Sequence, residues 1–329
     1  MILPKEVNLM VKQKMILDLD TGVDDALALA YALADPAVDL IGVVASYGNN
    51  LVQQTAKNTC QLLDLLGHPE VPVFLGTHHS MSSQSFKVME VSKQIHGENG
   101  IGNISLPEPE KGPREQDGID FLIAAAHQYQ RRLTIVPTGP MTNLAEAIQK
   151  DRSIIDLIGN VTFMGGALTV EGNVSEVAEA NINQDAEAAN IVFTSGLPLT
   201  MVGLDVTLRT LLTKAETAQW RQLGTVAGKT YADLTDFYID AYDHLGIDHH
   251  GCAIHDPLAV GVAIDPSFVS MIQLPMKVTT AGPNYGRTIG DKARLNDHRR
   301  LVNVAVQVDK ARFVNSFMSH LKVMLNQQS

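Results

Sequence analysis

Four aspartates lie within eight residues near the start of the chain: Asp18, Asp20, Asp24 and Asp25. No lysine or arginine occurs between residues 15 and 29 to balance them. Two carboxylates about 4 Å apart repel each other by roughly 4 kcal/mol at an effective dielectric constant near 20, so this crowding is costly without a counter-charge. Oxygen ligands alone favour a hard cation, Ca²⁺ or Mg²⁺, over zinc. The spacing therefore predicts a metal site.

The residues around these acids are typical of a strand, a tight turn and a helix start. An apolar run, residues 15–19, enters the turn, Gly22 lets the chain bend, and a strongly helical run, residues 26–34, leaves it. Asp20 then falls at the carboxyl end of the first strand, which is where α/β sheets bind their ligands.

Asp24 and Asp25 have a plainer interpretation. Acids at a helix start suit the helix dipole, so Asp24 is an N-cap and Asp25 a first-turn acid under that interpretation. This interpretation gives no reason for an aspartate at position 20, which precedes the helix.

Further along the chain, short apolar strands alternate with helices, and each strand ends in a loop rich in Gly, Asn, Thr or Asp. Buried parallel strands have this pattern. It predicts an α/β fold: a single open, mainly parallel, Rossmann-like sheet flanked by helices, in one domain over residues 1–329. The predicted strands are 38–46, 71–75, 133–137, 161–164, 199–202, 271–280 and 301–308, and the main helices are 51–66, 119–132, 185–194, 258–264 and 310–325.

Composition excludes several classes of function. The net charge of −11 argues against nucleic acid or an anionic membrane as partner, because phosphate binding needs clustered Lys and Arg. No apolar run is long enough to span a membrane or to form a signal peptide. Two cysteines, Cys60 and Cys252, are too few for a disulfide framework. These features predict a cytoplasmic protein with a neutral or cationic ligand.

Two irregular stretches are candidates for loops at the site. Residues 76–118 combine His, Ser, Gly and Pro with little periodicity, which predicts a lid or rim. Residues 238–252 carry His244, His249 and His250. Their spacing matches no zinc motif, and loop histidines are commonly solvated, so zinc is not favoured.

Other polar residues are weighed against plainer roles. Asn173, Glu179 and Asn181 lie in a stretch without helical or strand periodicity. If the end of this stretch is extended, Glu179 and Asn181 share one face and can hold vicinal hydroxyls. The alternative, which the sequence alone favours, is a polar loop before a helix. Asp256, before Pro257, is ordinarily a helix cap. His255 is more informative, because a histidine beside a carboxylate can donate a proton to a leaving group.

Taken together, these motifs resemble those of the inosine-uridine preferring nucleoside hydrolases, which cleave ribonucleosides to ribose and free base. The resemblance covers about residues 15–310. The matching segments, in order, are Asp18-x-Asp20-Thr21-Gly22-x-Asp24-Asp25-Ala26, Tyr47-Gly48-Asn49, Pro137-Thr138-Gly139-Pro140-x-Thr142-Asn143, Met164-Gly165-Gly166 with Asn173 to Asn181, and His255-Asp256-Pro257.

The resemblance implies roles for these positions. Asp20, Asp25, Asp256 and the Thr138 carbonyl would bind Ca²⁺, and Asp20 would also accept a proton from a calcium-bound water. His255 would protonate the departing base, and His96 would close over it. The residues that would hold the sugar, with Met164 against it, are Asp24, Asn49, Asn173, Glu179, Asn181 and Asp256.

The resemblance also implies nucleoside salvage and a homodimer or homotetramer. The chain departs from the pattern at Thr21, where many relatives have Pro, and at Ala180, where many have an aromatic residue. The second departure leaves purine or pyrimidine preference open, and Phe237, Tyr238 or Tyr242 are candidates to replace the missing wall.

Two other functions are kept as alternatives. A haloacid-dehalogenase-like phosphohydrolase also has two acids one residue apart after a strand, but here Thr21 precedes Gly22 and the pair Asp24-Asp25 is surplus. A calcium-dependent sugar-binding module would use the same carboxylates without catalysis.

Overall fold

A computed structural model describes residues 12–297 and 301–327 of the chain. In these residues twelve strands and thirteen α-helices alternate along most of the sequence. The strands are β1 (Gln13–Leu19), β2 (Val38–Ala45), β3 (Val73–Leu75), β4 (Leu133–Pro137), β5 (Asn160–Met164), β6 (Leu199–Val202), β7 (Leu211–Leu212), β8 (Cys252–Ala253), β9 (Val269–Leu274), β10 (Met276–Val278), β11 (Thr288–Gly290) and β12 (Val302–Val308).

The helices follow the strands. They are α1 (Val23–Ala34), α2 (Val52–Leu65), α3 (Glu90–His96), α4 (Gly118–Tyr129), α5 (Thr142–Lys150), α6 (Ile154–Leu157), α7 (Ala180–Gln184), α8 (Ala186–Ser195), α9 (Leu204–Thr207), α10 (Lys214–Arg221), α11 (Val226–His244), α12 (His255–Ile264) and α13 (Lys310–Leu325). In the described residues, no helix combines the length and the apolar character needed to cross a membrane.

Eight strands form one sheet in the order β3-β2-β1-β4-β5-β6-β12-β9. Every neighbouring pair is parallel except β12 and β9. Both faces of the sheet are covered, since Met15 and Leu17 of β1 belong to one core and Ile16 to the other. The predicted mainly parallel α/β sheet flanked by helices is therefore confirmed.

The strand order reverses between β1 and β4, which lie side by side. Asp20 follows β1 and Thr138 follows β4, and the Thr138 amide donates to the Asp18 carbonyl at 2.9 Å. In open α/β sheets this reversal opens a crevice at the carboxyl ends of the strands, where ligands bind. The motifs at the ends of β1 and β4 therefore meet at one place.

Two sequence predictions are wrong in detail. The strand predicted over 271–280 is divided at Pro275 into β9, in the main sheet, and β10, which pairs with β11, because proline has no N–H to continue a ladder. The irregular stretch predicted from Tyr238 begins only after His244, because α11 continues through it and buries Tyr238 and Tyr242 on one face.

Candidate active site

A pocket of about 770 Å³ opens beside the carboxyl ends of β1, β4 and β5. Asp20 and Asp25 do not line it. Both side chains are buried. Asp20 accepts a hydrogen bond from Asn49 and Asp25 accepts one from Thr138, and Asn49 and Thr138 do line the pocket. The other predicted site residues in its lining are Asp24, His96, Met164, Asn173, Glu179, Asn181, His255 and Asp256. The structure thus gathers residues predicted from five distant motifs.

Asp20 is enclosed by the backbone of two loops. Its Oδ2 accepts the Asn49 backbone N–H at 2.7 Å, whereas its buried Oδ1 has no hydrogen-bond partner among the residues that the structure describes. A Cβ atom at Gly48 would lie 2.0 Å from Oδ2, and one at Gly139 would lie 2.8 Å from Oδ1. Glycine is therefore needed at both positions, which explains why the two loop motifs contain it.

Asp25 holds the start of α1 in place through hydrogen bonds. Its Oδ2 accepts the Gly22 backbone N–H at 2.8 Å and the Asn49 amide at 3.2 Å, and its Oδ1 accepts the Thr138 hydroxyl at 2.6 Å. Gly22 is the N-cap residue, so the interpretation of Asp24 as only an N-cap is wrong. Asp24 instead lines the pocket, and its buried Oδ1 has no hydrogen-bond partner in residues 12–297 and 301–327.

Carboxylate oxygens of Asp24, Asp25 and Asp256 lie within 4.8 Å of one another, and Asp20 lies beside this group. We call these four residues the carboxylate cluster. Burial, and then the neighbouring charges, raise the pKa of Asp20 and Asp256 well above the usual range, and burial followed by Asp25 raises the pKa of Asp24 to about 7. Such a group can bind a divalent cation, which would favour the ionised carboxylates.

The segment before α8 differs from the extended conformation considered above. Glu179 is the N-cap of α7, and its carboxylate accepts the backbone N–H groups of Gly166, Asn181 and Ile182. Asn181 lies inside the helix and donates to the Thr138 carbonyl at 2.6 Å. Glu179 and Asn181 therefore line the same pocket because one caps α7 and the other lies in its first turn, and not because they alternate along a strand.

A second group of side chains lies at another wall of the pocket. His255 contacts the Tyr242 hydroxyl through Nε2 and the Thr207 hydroxyl through Nδ1, both at 2.8 Å. The Tyr238 hydroxyl lies 3.2 Å from that of Tyr242 and 3.4 Å from Asp24 Oδ2, to which it donates. Burial lowers the pKa of His255 to about 4, so its ring is neutral at neutral pH.

His96 ends α3 and packs on the same wall. Its Nδ1 accepts the Val23 backbone N–H at 3.2 Å, and its ring stacks on Tyr238 with centroids 5.3 Å apart. Burial, followed by His255, lowers the pKa of His96 to about 3. The ring is therefore neutral, and its 3.9 Å approach to Asp24 is not an ion pair at neutral pH. We call His96, Tyr238, Tyr242 and His255 the histidine–tyrosine cluster.

Some residues at the site were missed or given other roles by the sequence. Tyr238 and Tyr242 were candidates only for a hydrophobic wall, although their four-residue spacing is a signal for one helix face. Thr207, which contacts His255, carries no signal in the sequence. His249 lies on the surface beside Asp243, and the metal-ligating group found in the described residues contains no histidine.

Comparison with known proteins adds to this geometry. Residues 15–315 match the family described as inosine-uridine preferring nucleoside hydrolase. A probable uridine nucleosidase 2 of Arabidopsis thaliana is 32% identical over 317 residues, covering 94% of this chain and 98% of its own length. The pyrimidine-specific ribonucleoside hydrolase RihA of Klebsiella pneumoniae is 32% identical over 308 residues, covering 93% of this chain and 97% of its own length.

Solved structures agree with these matches. The purine-preferring ribonucleoside hydrolase from Gardnerella vaginalis superposes with a TM-score of 0.94 at 51% identity, over 95% of this chain and 99% of the other. A plant nucleoside hydrolase, PpNRh1, gives a TM-score of 0.89 at 30% identity, over 94% of this chain and 99% of the other.

Proposed function

This chain belongs to the inosine-uridine preferring nucleoside hydrolase family, and on that premise we propose that it is a calcium-dependent hydrolase of purine ribonucleosides. The relatives are named nucleosidases or ribonucleoside hydrolases, so the chain is an enzyme that hydrolyses ribonucleosides. The phosphohydrolase and sugar-binding alternatives are not favoured by any of these matches. The observation that carries the proposal is one pocket lined by Asp24 and Asp256 of the carboxylate cluster and by all four residues of the histidine–tyrosine cluster.

The residues of the carboxylate cluster fit a hard divalent cation. Within the described part of the chain, Asp20 and Asp24 each have a buried oxygen without a hydrogen-bond partner, and the cluster offers a metal only carboxylate oxygens as ligands. Asp20, Asp25, Asp256 and the Thr138 carbonyl would hold Ca²⁺. When bound, the cation would lower the pKa of the attacking water and offset the repulsion among the carboxylates.

Asp20 is the general base in this proposal. Its Oδ2 is fixed by the Asn49 N–H, which leaves Oδ1 to take a proton. As water attacks the anomeric carbon, a C–O bond forms, the C–N bond to the base breaks, and Asp20 receives the proton of the water. The negative side chains around the sugar favour the positive charge that develops there.

The sugar would be held by polar residues on the floor and one wall of the pocket. Asp24 and Asp256 face it from the metal side. Met164 would pack against the ring, and the remaining proposed contacts are Asn49, Asn173, Glu179 and Asn181.

His255 is the proposed proton donor to the leaving base, with His96 closing over that base. A ring whose pKa is about 4 is rarely charged at neutral pH, so the hydrogen-bonded hydroxyls of Tyr242 and Tyr238 are the proposed route by which it is protonated. The proton taken by Asp20 balances the one given to the base, so the enzyme returns to its starting state by exchange with solvent.

The preference for purines rests on two supports. The relative with 51% identity is named purine-preferring, although two relatives at 32% are named for uridine or pyrimidines. Tyr238 and Tyr242 add hydroxyl groups beside His255, and these can pair with the several ring nitrogens of a purine.

The test is the release of ribose from inosine, adenosine, uridine, cytidine and 2′-deoxyinosine, with chelator and after addition of Ca²⁺ or Zn²⁺. We expect release from inosine with Ca²⁺, and a much weaker reaction with the deoxy analogue because its missing hydroxyl leaves Asp24 and Asn49 unpaired. Full activity after exhaustive chelation would overturn the role of calcium. Absence of ribose release from every nucleoside, with calcium bound, would overturn the function.

Three further properties stay proposals. The chain folds as one domain over residues 1–329, which is supported by Asp20 and Asp256 meeting at one site. A homodimer or homotetramer rests on the resemblance alone, and a cytoplasmic location rests on the two cysteines and on the sequence pattern. Light scattering and cell fractionation test them.

A further inference from the structure

Asp18 is the one aspartate of the motif at residues 18–26 to which no role has been assigned. It lies in β1 and is 1% exposed, and alternation along the strand places it on the side of Ile16, which packs in an apolar core with Leu144 of α5. Its Oδ1 accepts the Asn143 amide N–H at 2.7 Å, and its buried Oδ2 has no hydrogen-bond partner in the part of the chain that the structure describes. A carboxylate is costly to bury, so the core alone does not explain an aspartate here.

Asp18 holds both ends of the chain segment that follows β4. Its backbone carbonyl accepts the Thr138 N–H at 2.9 Å, and its side chain accepts the amide of Asn143, five residues later. We call residues 138–143, which include the first two residues of α5, the 138–143 segment. It supplies the Thr138 carbonyl, a proposed metal ligand, and the Thr138 hydroxyl, which donates to Asp25 at 2.6 Å. One residue of β1 therefore sets where this segment lies relative to the end of that strand.

The Asn143 amide is fixed in one orientation. Its Oδ1 accepts the Thr77 backbone N–H at 2.7 Å and the Thr77 hydroxyl at 3.0 Å, so its NH₂ group must face Asp18. Gly76 makes this close approach possible, because a Cβ atom there would lie 2.3 Å from Asn143 Oδ1. The buried contacts from Asp18 through Asn143 to Thr77 thus join β1 to the start of α5 and to the residues after β3.

Other contacts of the 138–143 segment do not replace the bond to Asp18. Thr142 lies 3.0 Å from the Tyr47 hydroxyl and donates to Asp185 at 2.8 Å, which links the segment to the loop after β2 and to the N-cap of α8. The Asp18 side chain instead links it to the strand that leads into the carboxylate cluster. Because functional sites need their ligands held within about 0.5 Å, this attachment determines how well the Thr138 carbonyl meets a cation.

We propose that Asp18 is a positioning residue for the metal site: through Asn143 it holds the 138–143 segment so that the Thr138 carbonyl faces the cation. That carbonyl oxygen accepts the Asn181 amide and has a second lone pair for a metal. This inference rests on the proposed function for the identity of the metal, and it makes Ca²⁺ affinity depend on a residue that does not line the pocket. Because the effect passes through a hydrogen bond, an uncharged residue that keeps the bond should keep the affinity.

The experiment measures Ca²⁺ affinity by isothermal titration calorimetry on the full chain, after chelation and removal of the chelator. Asp18→Leu is close in size but cannot accept a hydrogen bond. It should weaken Ca²⁺ binding by about 10–100-fold, the usual effect of removing a residue that orients a metal ligand. Asp18→Asn can turn its carbonyl oxygen toward Asn143, and its affinity should be closer to that of the wild type than to that of Asp18→Leu.

Further variants separate positioning from a general loss of stability. Asn143→Leu breaks the same bond from the other side and should also weaken Ca²⁺ binding, and the double variant should lose no more than Asn143→Leu alone. Ser195→Ala removes a buried hydroxyl outside the pocket that donates to the Val192 carbonyl and accepts the Leu197 N–H. It should lower the melting temperature without changing the affinity. If Asp18→Leu does not fold, Asn143→Leu carries the test.

Several results would overturn the inference. One is wild-type affinity in Asp18→Leu, and another is an equal loss in Asp18→Asn and Asp18→Leu, which would assign the effect to charge. Additive losses in the double variant would mean that Asp18 does not act through Asn143. Ca²⁺ binding by the wild type without release of ribose from any nucleoside would overturn the proposed function alone, whereas absence of Ca²⁺ binding would overturn both.

Discussion

The carboxylate cluster and the histidine–tyrosine cluster meet at one pocket, which Asp24 and Asp256 line from the first, but the two clusters are built in opposite ways. Three of the four carboxylates come from one short segment, with Asp20 after β1 and Asp24 and Asp25 in the first turn of α1, and Asp20 and Asp24 each have a buried oxygen without a hydrogen-bond partner among the described residues. The four residues of the other cluster come from three helices, and their polar atoms contact one another, the Val23 backbone N–H, the Thr207 hydroxyl or Asp24. The first group concentrates buried carboxylates that could hold a cation, whereas the two histidines of the second group are neutral at neutral pH.

This difference separates the two halves of the proposed reaction. The carboxylate cluster acts on water and sugar, which every substrate shares. The histidine–tyrosine cluster acts on the leaving base, which varies. Changes in the first should therefore affect all substrates alike, and changes in the second should depend on the leaving group.

The largest effect is expected for Asp20→Asn. It should lower kcat by at least about 10³-fold on every nucleoside and on p-nitrophenyl riboside, because it removes the proposed base and a metal ligand together. Asparagine can keep its carbonyl toward the Asn49 N–H, so the fold should persist, as a thermal melt would establish. Retention of more than about a tenth of the activity would contradict the role of Asp20 as the base.

His255→Ala should be selective. Inosine hydrolysis should fall by about 10²–10⁴-fold, the usual worth of a general acid, while p-nitrophenyl riboside should be largely spared because its leaving group departs as a stable anion. Rates on the two substrates, measured side by side, give the comparison. An equal loss on both would make His255 a structural or sugar-binding residue and would remove the distinction between the clusters.

Tyr242→Phe should have a smaller effect of the same kind. It removes the hydroxyl that contacts His255 and Tyr238, and about a tenfold loss on inosine is expected with little change on p-nitrophenyl riboside. The matched control is Tyr231→Phe, which removes a buried hydroxyl bonded to the Ala26 carbonyl outside the pocket. That control should lower stability without changing the ratio of the hydrolysis rates of inosine and p-nitrophenyl riboside. If this rate ratio changes equally in both variants, Tyr242 is not part of the route by which His255 is protonated.

The smallest expected effect is on stability. In chelator, Asp24 has a pKa of about 7 in the folded protein against about 3.9 when unfolded, so the folded state binds more protons between these values. Its contribution to stability is complete below the unfolded pKa and is lost as pH rises through 7. The melting temperature in chelator should therefore fall from pH 5 to pH 8, by roughly 2–4 °C per kcal/mol lost.

Two comparisons check this assignment. Added Ca²⁺ should raise the melting temperature most at pH 8, where the carboxylates are ionised. Asp24→Asn should flatten the pH dependence in chelator. A dependence as steep in Asp24→Asn as in the wild type would mean that other groups cause it.

Much of the fold could be predicted from the sequence, because the relevant signals are local. The apolar run before Asp20, the glycine at position 22 and the helical residues after Asp25 are neighbours in the chain, so β1, the turn and α1 follow from backbone preference and side-chain alternation. The same holds for most strands of the sheet. The motifs also identify the family, since each occupies a short segment.

Tertiary structure alone decided how distant segments complete the site. Thr207 meets His255, α11 extends far enough to bring Tyr242 to the pocket, and Asn181 of α7 donates to the Thr138 carbonyl. None of these contacts has a local signal, because the direction in which a side chain points depends on how its helix packs against elements far away in the chain. The sequence determined which acids crowd together at the end of β1, and packing determined what faces them across the pocket.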